Sequence, residues 1–240
     1  MTTPKPKKPT KRSLERALAD RLSKLVPKLG LAPAKPPRQT VFFARWPATQ
    51  GLTHAILIRG WARDEVRLCV WIEHDVLSPR IAEALGTPEP VPLVNAALQE
   101  FWRDKDGGLR VLPSKRPVDT LSISNVGRAA GAIVREIERY GLPLFDRLSS
   151  LAKLDEFWHG DPTSLLWSYT FTPIGLGGVK ESHALPVDAF VGAAIARAMG
   201  RSVASTVSLY EKRFAKQVDA RWRARQLVRL KAVAAACEPL

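Results

Sequence analysis

The chain has 240 residues, enough for one large domain, or a domain with an appendage, and an ordinary core. With 25% charged and 45% hydrophobic residues and two cysteines, the composition excludes collagen, a disulfide-stapled scaffold and a wholly disordered chain. Its distinguishing number is a net charge of +14, and that charge is uneven: +9 over residues 1–40, +6 over 201–240 and −1 between them. Basic ends on a near-neutral body point to arms that meet an anionic partner.

Residues 1–12 are rich in Pro and Lys and read as a disordered basic tail. Ser13 is a candidate cap for a helix with Leu14, Leu18, Leu22, Leu25 and Val26 on one face. Pro27 ends or kinks that helix, and 30–39 reads as a loop. Strands follow over Thr40–Trp46, Thr53–Trp61 and Glu65–Glu73, the last two as a hairpin. In the third, Val66, Leu68, Val70 and Ile72 alternate with Arg67, Cys69, Trp71 and Glu73. The spacing predicts one face on the core and a second face that is partly covered.

Ser78-Pro79 opens a short helix that Gly86 closes. Val91–Arg103 places Val94, Ala97, Leu98, Phe101 and Trp102 at helical spacing, and short strands are expected at Leu109–Leu112 and Val118–Ser124. Asn125–Tyr140 reads as a helix with Gly141 at its exit, and Pro143 starts another that carries Leu144, Phe145, Leu148, Leu151, Leu154, Phe157 and Trp158. Residues 161–185 form an irregular or hairpin connection, with Trp167–Phe171 as a possible strand and a Gly-rich turn at 175–178. Pro186 opens a helix closed by Gly200, and one last helix runs from Ser202 or Ser208 to about Ala235. In that last helix Tyr210, Phe214, Val218 and Trp222 make a stripe, after which a basic segment, RWRARQLVRLK, either projects from the body or repacks on it. The fold class is α+β: a small antiparallel sheet packed on helices, forming a 13–160 domain, followed by an α-helical C-terminal extension over 186–240.

Specific chemistry is sparse. His74-Asp75 and His159-Gly160-Asp161 place carboxylates beside imidazoles, but neither has the spacing of a helical metal motif, so a metal-assisted hydrolase is the weakest of three readings. There is no G-x-S-x-G elbow or P-loop, Cys69 sits in an apolar strand pattern, and no cofactor is implied. The seven tryptophans fall mostly in apolar periodic segments and read as core; Trp222, flanked by Arg221, Arg223 and Arg225, is the exception. The N-terminus lacks the apolar run of a secretory signal, and no stretch reaches the ~20 apolar residues of a membrane span, so a cytoplasmic protein with no membrane partner is expected.

The order helix, strand and hairpin, inserted helices, then a helix ending in Tyr140-Gly141-Leu142-Pro143-Leu144-Phe145 resembles a bacterial domain-of-unknown-function group over residues 13–158. Some members of such groups occur beside toxin–immunity or phage-defence genes. The resemblance implies an α+β fold and an accessory role in bacterial defence, and it carries no catalytic residues. The leading expectation is a non-catalytic protein that contacts nucleic acid through Lys7, Lys8, Lys11, Arg12, Arg221, Arg223, Arg225, Arg229 and Lys231. The alternative is an immunity-type or accessory subunit that docks an acidic protein through Tyr210, Phe214, Val218 and Trp222.

Overall fold

The computed structural model describes residues 9–37, 40–47, 49–62, 64–98, 118, 120–159, 187–214 and 220–240. Within these, antiparallel strands β1 (Ala32–Pro33), β2 (Thr40–Arg45), β3 (Leu52–Gly60), β4 (Glu65–His74) and β5 (Val94–Ala97) lie side by side in that order. A short β6 (Leu121–Ser122) pairs with the start of β4. The β3–β4 hairpin is in unbroken register from Leu52↔His74 to Gly60↔Val66.

Alternation sorts this sheet into two faces, as the sequence predicts. Ile56, Ile58, Val66, Leu68, Val70 and Ile72 enter the main core, while Phe43, Ala55, Leu57, Cys69, Trp71 and Ala97 form a second, smaller cluster. The main core is closed by helices α1 (Lys11–Leu25), α2 (Leu77–Leu85), α3 (Val126–Glu136), α4 (Leu142–Arg147), α5 (Leu151–His159), α6 (Val187–Ala198), α7 (Val203–Phe214) and α8 (Ala220–Ala236). The fold is α+β.

The first helix starts earlier than Ser13. Thr10 Oγ1 accepts from the Ser13 amide at 3.2 Å, so Lys11 and Arg12 belong to α1 rather than to a disordered tail; Lys7 and Lys8 lie outside the described residues. Pro27 then forces the change to a 3-10 turn, which Gly30 closes at φ 78°.

The helix expected over Val91–Arg103 is instead strand β5, with Ile72↔Val94 and Cys69↔Ala97 in register; residues 99–117, including Leu109–Leu112, lie outside the described residues. The apolar residues of this run satisfy either period, and pairing with β4 decides between them. Ser78 sits inside α2, where its hydroxyl accepts from the buried His74 amide at 3.1 Å, and Gly86 ends the helix at φ 66°.

Gly141 is not an exit. Its φ of −66° is helical, and a π turn over Ile137–Gly141 joins α3 to α4. The wider turn accommodates Pro143, which has no amide hydrogen for the helix ladder. Gly141 faces the sheet, where a Cβ would stand in ordinary contact, 3.4 Å from Ile56 Cδ1.

At the C-terminus the expected single helix is two, α7 and α8, which pack on each other and on α6. Leu230, Val233, Ala234 and Cys237 are buried in or against the main core, and α8 also packs on α2. Segment 223–231 therefore repacks on the body instead of projecting from it. The C-terminal helices share one core with the sheet, and 160–186 lies outside the described residues.

Candidate functional site

The C-terminal helices are positioned by a chain of polar contacts. Arg197 Nε donates to the Ala234 carbonyl at 2.9 Å, holding the last turn of α8 to α6, while another of its nitrogens donates to the Arg201 carbonyl. Arg201 donates to Asp155 Oδ2 at 2.6 Å. On α5, Asp155 and His159 are four residues apart and share a face. His159 Nδ1 lies 3.0 Å from the Asp155 carbonyl, which has the hydrogen-bond alignment, and 2.7 Å from Oδ1, which has only the ion-pair distance. Its other nitrogen, Nε2, is 2.8 Å from the Tyr210 hydroxyl. With Nδ1–H donating, Nε2 accepts the phenolic hydrogen, and the ring is neutral. Burial lowers the His159 pKa and outweighs the opposing pull of Asp155.

Tyr210 is fully buried, so it cannot dock a partner as the sequence suggests. Its hydroxyl reaches His159 across Gly192 of α6, where a Cβ would meet it at 2.0 Å. Of the other residues in that stripe, Phe214 closes α7 and Trp222 lies in α8 with side chains outside the described residues, as does the whole of Val218.

The candidate metal ligands are engaged elsewhere. His74 Nδ1 accepts from the Val76 and Leu77 amides at 3.2 and 3.3 Å, capping α2, and burial lowers its pKa and keeps it neutral. Both nitrogens of His159 are occupied, and Asp161 lies outside the described residues. Among the described residues no group of three or more His, Cys, Asp or Glu side chains gathers to hold a metal. Cys69 and Cys237 are buried thiols, and burial pushes the Cys237 pKa up to about 11.

The basic residues are arranged differently. The inward face of α8 carries Leu230, Val233 and Ala234. Its outward face carries Arg221, Arg225 and Arg229 at i, i+4 spacing, all exposed, with Lys231 exposed beside them. Arg223 lies in the helix with its side chain outside the described residues. Between Ala220 and Ala236 there is no acidic residue. Val228, in the middle of the outward face, is 68% exposed. On α1, Arg12 is exposed, and Lys11 pairs with Glu15 at 3.8 Å while donating to the Ala62 carbonyl at 3.0 Å.

The sequence pattern places Trp61 in the core, yet it is 57% exposed just after the last residue of β3. The alternation Ala55, Leu57, Arg59, Trp61 carries the signal that places it on the second sheet face. No helix among the described residues is long and apolar enough to cross a membrane. No protein-family model, curated protein or solved structure matches this chain.

Proposed function

We propose that this protein binds nucleic acid through its phosphate backbone, with the outward face of α8 as the principal contact. The observation that carries this reading is the Arg221, Arg225, Arg229 stripe on a helix with no acidic residue, fixed to the body by its opposite face. Four helical residues rise about 6 Å, so the stripe spans roughly 12 Å. A duplex strand carries a phosphate about every 3.4 Å of axis, and the stripe covers three or four of them. Such contacts give affinity with little sequence selectivity and a steep dependence on salt.

The test is a mobility or anisotropy titration at two salt concentrations with the Arg221→Ala, Arg225→Ala, Arg229→Ala triple variant. Absence of binding at low salt, or binding that the triple variant leaves unchanged, overturns the reading. A second reading, docking of an acidic protein on α8, is favoured by Val228, an apolar residue exposed at the centre of the stripe. A defined acidic partner that co-purifies after nuclease treatment, and is lost with the triple variant, would select it.

A further inference from the structure

We infer that Trp61 is a stacking platform for an unpaired base, so that the nucleic acid this chain prefers is single-stranded. The inference rests on the nucleic-acid reading above, and it is carried by different residues. Trp61 follows the last residue of β3, and its amide donates to the Glu65 carbonyl at 2.9 Å, which fixes the backbone at the hairpin. The Arg67 guanidinium carbon stands 3.5 Å from the Trp61 ring centroid, covering one face of the indole. With Arg67 over one face, Trp61 is still 57% exposed, and the open opposite face is part of what we infer. The ring is thus held in place before any ligand arrives, which removes part of the ordering cost of binding.

Cations stand next to this platform. The ammonium of Lys11 reaches the carbonyl of Ala62, the residue after Trp61, and this pins the first turn of α1 beside the hairpin. Arg12 is exposed in that same turn. An exposed indole beside positive charge is the pairing that single-strand binding uses: cations for the backbone and an aromatic face for a base. A base inside a duplex has both faces stacked already, so a side-chain ring reaches only bases in single strands, loops or ends. Charge complementarity therefore names a polyanion, and the open indole face names its unpaired form.

The experiment is an anisotropy titration with a labelled 15-nucleotide single strand and with a blunt duplex of the same length. The proteins are the full chain, Trp61→Ala, Trp61→Phe and the α8 triple variant, each checked by thermal melting. Trp61→Ala is expected to weaken single-strand binding about 5- to 150-fold, to leave duplex binding within twofold and to keep the salt slope. Trp61→Phe is expected to retain most of the affinity, because a ring remains. Equal affinity of Trp61→Ala and the parent chain for the single strand, or equal losses on both ligands, overturns the inference. If the triple variant loses binding while Trp61→Ala does not, this inference fails and the α8 reading stands. If the parent chain binds neither ligand at low salt, both fail. If Trp61→Ala loses an acidic protein partner but keeps its oligonucleotide affinity, Trp61 is a protein contact and the inference is overturned.

Discussion

Replacing Gly192 with alanine sets two magnitudes against each other. Gly192 lies inside α6, and on propensity alone alanine stabilises a helix interior by about 0.8–1 kcal/mol. The structure reverses that sign. The added Cβ meets the Tyr210 hydroxyl at 2.0 Å, Cζ at 3.1 Å and His159 Nε2 at 3.7 Å. Tyr210 is fully buried and tied to His159, so the atom in the way is not the loose end of a flexible side chain. Overpacking of this kind costs about 1–3 kcal/mol, and breaking the buried hydrogen bond adds about 1–3 kcal/mol. After subtracting the propensity gain, the net loss is about 1–5 kcal/mol, which for a chain of this size lowers Tm by roughly 2–20 °C.

The assay is thermal melting followed by far-UV circular dichroism, with two companions. Gly192→Ala combined with Tyr210→Phe removes the clashing oxygen and is expected to melt above Gly192→Ala alone, a favourable coupling of about 1 kcal/mol or more. At Gly60 an added Cβ would also be close to a neighbour, 2.7 Å from Glu15 Oε1, but that oxygen is the end of a side chain that can swing away. Gly60→Ala is therefore expected to shift Tm by no more than about 2 °C. A Gly192→Ala protein that melts at or above the parent would refute the packing of Tyr210 over α6.

Other outcomes follow from the same contacts. Leu230→Ala is expected to cost about 2–5 kcal/mol in urea denaturation and Val228→Ala almost nothing, since the first is fully buried and the second 68% exposed; equal effects would mean that α8 does not pack as described. His54, His74 and His159 all have pKa values lowered from 6.5 by burial, so the unfolded chain takes up protons first as pH falls. Stability is thus complete above about pH 6.5 and declines on acidification through the histidine range. Tm at pH 5.5 is expected below that at pH 7.5, with a smaller drop in His54→Gln, and a Tm that rises on acidification contradicts the burial of neutral imidazoles.

Local pattern made much of the sheet and several helix ends legible. The alternation Val66, Leu68, Val70, Ile72 against Cys69 and Trp71 assigns the two faces of β4, and Pro27, Gly86 and Gly200 mark real helix ends. The failures are where a distant partner decides. Val94–Ala97 is a strand because β4 offers it a pairing edge. Tyr210 and Phe214 looked like an interface stripe, yet the environment of Tyr210 is set by His159, 51 residues away, and by Gly192. The outward stripe Arg221, Arg225, Arg229 was readable from spacing once the opposite, buried face was known. Trp61 was missed because exposure at a hairpin end depends on what lies across the strand, here Arg67.

The most direct measurement is the dependence of nucleic-acid affinity on salt for the parent chain and for the Arg221→Ala, Arg225→Ala, Arg229→Ala variant. Each phosphate contact contributes about 0.7–0.9 to the slope of log K against log salt, so losing three is expected to flatten it by about 2–3. Between 50 and 200 mM salt, that difference amounts to roughly 20- to 40-fold in affinity. A parent chain that does not bind at low salt, or a variant with an unchanged slope, would contradict the assignment of α8 as the phosphate-binding face.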